Sequence, residues 1–131
     1  MSQHATGTFD VKTTPQGETD KGEGSTLGRM SLDKQFHDDI EGVSKGEMLF
    51  AGTEVKGSSV YVAIERVTGT LDGKKGSFAL YHTGVMQGPS QELAVIVVPD
   101  SGSGQLTGIT GKMTITITGG KHLYDFDYTL P

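Results

Sequence analysis

The sequence predicts an all-β fold, an eight-stranded antiparallel β-barrel that forms a single domain over residues 1–131. Short runs of residues alternate between polar and apolar side chains, which is the period of a half-buried strand. Glycine occupies 20 of the 131 positions and lies mostly between these runs, as the turns and bulges of a β-domain require. No segment has the apolar spacing of a helix. Eight strands also suit a closed barrel that is either filled by side chains or holds one small ligand.

The predicted strands are separated by polar or glycine-rich turns. The clearest alternation is in residues 112–118, where Met113, Ile115 and Ile117 face inward and threonines face outward. Residues 15–25 contain three glycines and no anchoring hydrophobic residue, so we predict a mobile loop there. The eight predicted strands cover residues 5–13, 26–36, 40–51, 59–67, 77–86, 93–98, 112–118 and 122–130.

A glycine frame, Gly-x-Leu-x-Gly-x-x-Gly, occurs at residues 69–76 and again at residues 104–111. We interpret it as a duplicated hairpin in which glycines adopt the positive φ angles of tight turns. Phosphate-binding loops have similar glycines but lead into a helix. Strand-forming residues follow both frames here, so the sequence disfavours nucleotide binding.

The repeat also identifies a polar residue on an apolar face. It aligns residues 78–82 with residues 113–117, so that His82 occupies the inward position where the second copy has Ile117. A buried imidazole needs a hydrogen-bond partner, and Glu65 on the adjoining predicted strand can supply it. Two interpretations stay open: a structural pair, which is the commoner case, and an acid–base pair with perturbed pKa values.

Three further side chains are candidates for the barrel interior. Lys34 lies on the apolar face of the strand predicted at residues 26–36, and we expect its stem to be buried with the ammonium group at the barrel mouth. A cation inside the cavity is the alternative. Inward-facing tyrosines can donate hydroxyl groups or simply pack in the core. The predicted ligand-contacting residues are therefore Lys34, Tyr61, Glu65, His82 and Tyr124.

Composition argues against several classes of function. The chain has no cysteine, which removes disulfides, thiolate catalysis and cysteine-bound metals. Its formal charge of -5 disfavours binding to nucleic acid, which needs clustered lysine and arginine. The four histidines have no metal-binding spacing, so we expect no metal site.

The sequence also predicts a cytoplasmic protein that does not associate with membranes. The longest apolar run, residues 93–98, is far too short to cross a bilayer. The first residues lack the basic and apolar regions of a secretory signal.

Two predicted strands, residues 59–67 and 93–98, are apolar on both faces. A half-exposed strand of a monomeric barrel normally has a polar outer face. Since no helix is predicted to cover the outside, we expect a partner subunit to do so. The sequence thus predicts a homo-oligomer.

Three segments resemble a small bacterial family of unknown function whose members share a barrel similar to allene oxide cyclase. They are Glu-Arg-Val-Thr-Gly-Thr-Leu-Asp-Gly at residues 65–73, Gly-Ser-Phe-Ala-Leu-Tyr-His-Thr-Gly at residues 76–84, and Val-Pro-Asp-Ser-Gly-Ser-Gly-Gln-Leu-Thr-Gly at residues 98–108. The third also resembles plant allene oxide cyclases and dirigent proteins. The resemblance implies an eight-stranded barrel, usually oligomeric, with an apolar cavity and no cofactor, and it assigns no catalytic residue.

These observations lead to three hypotheses of function. The first is a barrel that binds a small, largely apolar molecule in its interior. The second is a structural or interaction protein with a solid barrel, which acts through its oligomeric surface. The third is a cofactor-free isomerase or cyclase in which Glu65 and His82 serve as acid and base.

Overall fold

The computed structural model describes residues 2–131, in which the regular elements are all β-strands. Nowhere in this part of the chain is there a helix long and apolar enough to cross a membrane. The strands are β1 (Gln3–Pro15), β2 (Asp20–Lys21), β3 (Ser25–Phe36), β4 (Ile40–Thr53), β5 (Ser59–Leu71), β6 (Lys74–Gln87), β7 (Ser90–Val97), β8 (Ser103–Gly104), β9 (Thr110–Thr118) and β10 (Lys121–Thr129).

Eight of these strands close into an antiparallel barrel, which confirms the predicted fold class. The order around the barrel is β1, β10, β9, β7, β6, β5, β4 and β3. Strand β1 closes the ring, since its first half pairs with β10 and its second half with β3, and Phe9 has a partner in both. The two short strands add to the edges: β2 pairs with β3, and β8 with β6. Strand β2 lies within the segment predicted to be a loop.

The two glycine frames have different structures. The first is a two-residue hairpin turn between β5 and β6, in which Asp72 and Gly73 both have positive φ angles, 49° and 82°. The second frame belongs to the longer connection from β7 to β9, so the prediction of a second hairpin there is wrong. That connection contains β8 and buries Leu106 and Ile109 against the core. These two apolar residues hold the second copy in a wider turn.

The two ends of the barrel are filled differently. Aromatic rings occupy the end at the β5–β6 turn, where Phe126 stacks on Phe78 with 5.5 Å between centroids and on Tyr128 with 5.4 Å. The Tyr128 hydroxyl donates a hydrogen bond to Asp72 in that turn. We call this the closed end. The opposite end, at the β9–β10 turn, lacks such a plug among the described residues and leads into a cavity.

Candidate functional site

A charged cluster separates the closed end of the barrel from the open half. Its members are Lys34, Ser44, Glu65 and His82, which come from the successive strands β3, β4, β5 and β6. Each occupies an inward position of its strand, where the neighbours two residues away are also inward. Glu65 is 1% exposed, and the other three side chains are buried as well.

The carboxylate of Glu65 is the centre of this cluster. Lys34 Nζ donates to Oε2 over 2.8 Å, and Ser44 Oγ donates to Oε1 over 2.6 Å. His82 Nε2 also contacts Oε2, without the alignment of an ideal hydrogen bond. Three side chains therefore surround one carboxylate.

Gly46, which pairs with Glu65 in the sheet, makes room for this arrangement. A Cβ atom at Gly46 would lie 2.1 Å from the carbonyl oxygen of Ile64 and 2.8 Å from Cβ of Glu65. Any larger residue at this position would push β5 and its carboxylate away from Ser44. The inward face of β4 carries little side-chain volume at Gly42, Ser44 and Gly46, and this space accommodates the cluster.

The surroundings of Glu65 keep it ionised. Burial alone would raise the pKa of this carboxyl group, but contact with His82 and the charge of Lys34 outweigh burial and lower the pKa to about 2. The ammonium group of Lys34 also lies 4.8 Å from the centroid of the Phe9 ring, a favourable cation–π position. The cluster contains a compensated pair of buried charges.

The contact predicted between Glu65 and His82 is confirmed. The position expected for Lys34 is wrong, because its ammonium group does not reach the rim of the barrel. The side chain is 6% exposed and ends on Glu65 in the interior. A buried lysine is stabilised when a carboxylate compensates its charge, and Glu65 supplies that charge from two strands away.

A cavity of about 240 Å³ lies above the cluster, toward the open end. Lys34 and His82 face it from below, whereas Glu65 is not among its lining residues. Tyr61 and His122 add polar groups at the side. The walls are otherwise largely apolar and include Phe9, Val11, Leu32, Met86, Ile115 and Ile117.

The two predicted tyrosines have different places. Tyr61 lines the cavity, and burial together with the charge of Glu65 raises the pKa of its hydroxyl. Tyr124 does not line it. The hydroxyl of Tyr124 donates to the carbonyl of His37 over 2.7 Å and accepts from the amide of Ile40 over 2.8 Å, which fastens the β3–β4 turn to β10. Burial raises the pKa of Tyr124 to about 12.

Sequence reasoning missed three residues of the site: Phe9, Ser44 and His122. Ser44 had a detectable signal, since it is the polar residue on the otherwise bare inward face of β4. His122 lies against Phe9, with 5.1 Å between ring centroids, and its inward position follows from the alternation of β10. Within residues 2–131, no group of three or more histidine or acidic side chains is placed to hold a metal ion.

An apolar groove of about 760 Å³ lies on the outside of the barrel, across β4, β5 and β6. Its exposed apolar side chains include Leu49, Val62 and Ile64, which are 55%, 44% and 63% exposed. Arg29 and Glu47 form an exposed ion pair at its edge, with Nε and Oε1 3.4 Å apart. This is the outer face that the sequence identified as apolar on β5.

We expect the charge of Glu65 to contribute to stability in a pH-dependent way. Its pKa is lower in the folded chain than the ordinary 4.5, so the contribution is fully present above about pH 4.5 and is lost as the pH falls toward 2. The size is on the order of 3 kcal/mol. Urea unfolding of the wild type at a series of pH values between 7 and 2 measures it.

The variant Glu65→Gln should lower the free energy of unfolding at pH 7 by about 3–5 kcal/mol, because Lys34 is left buried without its counter-charge. The double variant Lys34→Met/Glu65→Gln should recover much of this loss. Glu47→Gln, which removes an exposed ion pair, should change stability by less than about 1 kcal/mol. A Glu65→Gln protein as stable as the wild type would contradict the assignment.

Comparison with known proteins places the chain in a family. A family model described as protein of unknown function (DUF3224) matches residues 5–128. A solved structure of a DUF3224 protein of unknown function from Shewanella oneidensis MR-1 is 48% identical, with a TM-score of 0.94 over 100% of this chain and 99% of that one. A search of curated proteins gave no significant match. The chain therefore belongs to the DUF3224 family, whose function is unknown.

Proposed function

We propose that this protein binds a small, largely apolar molecule in the cavity at the open end of the barrel. The observation that carries the proposal is the half-filled interior: aromatic residues plug the closed end, whereas a cavity of about 240 Å³ opens above Lys34 and His82. Ligand sites in proteins are typically apolar clefts with a few convergent polar groups. The cavity has this character.

The size of the cavity limits its occupant. An apolar protein cavity of roughly 150 Å³ is large enough to hold benzene. The present cavity is larger and is open at the mouth, where Ile117 is 66% exposed. A single substituted aromatic ring or a short branched chain fits these dimensions, whereas a long lipid chain does not.

Narrowing the cavity should weaken binding. Ile115→Phe places a larger side chain in the cavity wall, and we expect at least a tenfold loss of affinity for any small aromatic ligand found by a thermal-shift screen. Thr116→Phe is the control, because its side chain points outward from the same strand. Native mass spectrometry of protein purified from its host checks for a retained ligand. If no compound in a broad library shifts the melting temperature or the mass, the proposal fails.

Acid–base catalysis by His82 is a second candidate function, favoured by a specific geometry. His82 faces the cavity and contacts a carboxylate that does not, which is the arrangement of a general base and the group that orients it. Glu65, with its low pKa, serves in this scheme only to position His82. Lys34 is placed to stabilise negative charge on a carbonyl oxygen.

Proton exchange tests this second function. His82 would take a proton from the carbon next to a ketone, leaving an enolate, and would return a deuteron from solvent in D₂O. NMR of phenylacetone in D₂O should show exchange faster than in buffer with wild-type protein, and a loss of about 100-fold with His82→Gln. His4→Gln is the control, since His4 is exposed and paired with Asp125 outside the barrel. Equal exchange by both variants would exclude His82 as the base.

The outer groove supports a further proposal, that two copies of the chain associate through β4, β5 and β6. The face is apolar, and its edge carries a positive residue, Arg29, and a negative one, Glu47. A twofold axis can therefore bring Arg29 of one copy to Glu47 of the other, and the reverse. This is the alternative in which the protein acts through its oligomeric surface. A cytoplasmic location likewise stays a prediction from the sequence.

A charge in the groove should separate the copies. We expect Ile64→Lys to be a monomer by size-exclusion chromatography with light scattering, whereas the wild type has a multiple of the monomer mass. Thr114→Lys, exposed on the outer face of β9, should keep the wild-type mass. A monomeric wild type at concentrations of about 100 µM would contradict the proposed association.

A further inference from the structure

The polar groups that line the cavity are unequal in hydrogen-bonding character. Lys34 is a donor only, and among residues 2–131 its ammonium group bonds to Glu65 alone, so N–H capacity remains. The hydroxyl of Tyr61 bonds to no other described side chain or backbone group and can donate as well as accept, whereas His82 Nε2 is engaged by its contact with Glu65. The floor of the cavity therefore offers spare donors.

The nearest buried acceptor is already occupied. Oε2 of Glu65 receives Lys34 and contacts His82, and Oε1 receives Ser44. The carboxylate is 1% exposed and does not line the cavity. The other carboxylate near the cavity, Glu92, lies exposed at the rim. A ligand that enters the cavity thus meets the ammonium group of Lys34, whereas the carboxylate that compensates this charge lies out of its reach.

From the unused N–H groups of Lys34 we infer that the occupant carries a hydrogen-bond acceptor, an oxyanion or a carbonyl oxygen, at the end that faces this ammonium group. The inference rests on the proposed binding function and specifies its ligand class: small apolar molecules with one acceptor oxygen. A cationic ligand would face the ammonium group of Lys34 in a site with little water to screen the repulsion. A purely apolar ligand would leave the spare donors without partners.

Four probes that share a benzene ring test the inference: benzoate, acetophenone, benzylamine and toluene. They differ in the group that would reach Lys34, respectively an anionic acceptor, a neutral acceptor, a cationic donor and a methyl group. Dissociation constants at pH 7 follow from NMR titration of backbone amides of the full chain. We expect benzoate or acetophenone to bind at least about tenfold more tightly than benzylamine and toluene.

A variant of the cluster provides the second readout. Lys34→Met/Glu65→Gln removes the donor and its counter-charge together, and should erase the preference for the acceptor probes while toluene still binds. Lys45→Met, exposed on β4, is the matched control and should leave all four affinities unchanged. Should the double variant fail to fold, Tyr61→Phe takes its place, because it removes the unpaired hydroxyl that lines the cavity. We expect this variant to lose part of the preference for the acceptor probes.

The outcomes separate the inference from the proposed function. If benzylamine or toluene binds as tightly as benzoate and acetophenone, the cavity binds apolar molecules but the acceptor preference is wrong. If none of the four probes binds, the proposed function fails together with the inference. Tighter binding of either acceptor supports the inference, and comparison of benzoate with acetophenone shows whether a negative charge or only a carbonyl oxygen is recognised.

Discussion

Compensation of the buried charge on Glu65 is the interaction on which the rest of the barrel interior depends. A carboxylate that is 1% exposed is tolerated only because Lys34, Ser44 and His82 surround it. These partners come from β3, β4 and β6, so contacts to this one carboxylate link four successive strands at mid-height. Below the cluster the barrel is packed with aromatic rings, and above it the cavity begins.

The cluster in turn depends on residues with almost no side chain. Gly46 and Ser44 occupy inward positions on β4 where larger apolar residues would fill the space that Glu65 and Lys34 need. An ordinary barrel core is filled to high density by branched and aromatic side chains. Strand β4 instead has small residues next to the charged ones. Such departures from ordinary core packing are typical of functional sites.

Much of the fold could be predicted from the sequence, because alternating polarity is a local signal that most of the strands show, and polar or glycine-rich turns separate them. The Glu65–His82 contact could also be predicted, since the glycine repeat placed His82 inward and Glu65 lies on the adjoining strand. The partner of Lys34 could not, because β3 and β5 are separated by β4 and the contact depends on how the barrel closes. The second glycine frame misled for the opposite reason: its local pattern matches a hairpin, but burial of Leu106 and Ile109 opens the turn.

Stability alone does not account for the cluster. Apolar side chains of similar volume usually stabilise a core as well as a buried ion pair or better, since they avoid the desolvation of two charges. The closed end of this same barrel shows that the chain can build such a packed layer from Phe78, Phe126 and Tyr128. The charged groups lie where that layer ends and the cavity starts, with Lys34 and His82 facing the cavity and the carboxylate behind them. This placement is the physical reason for our proposal that the cluster serves ligand recognition as well as folding.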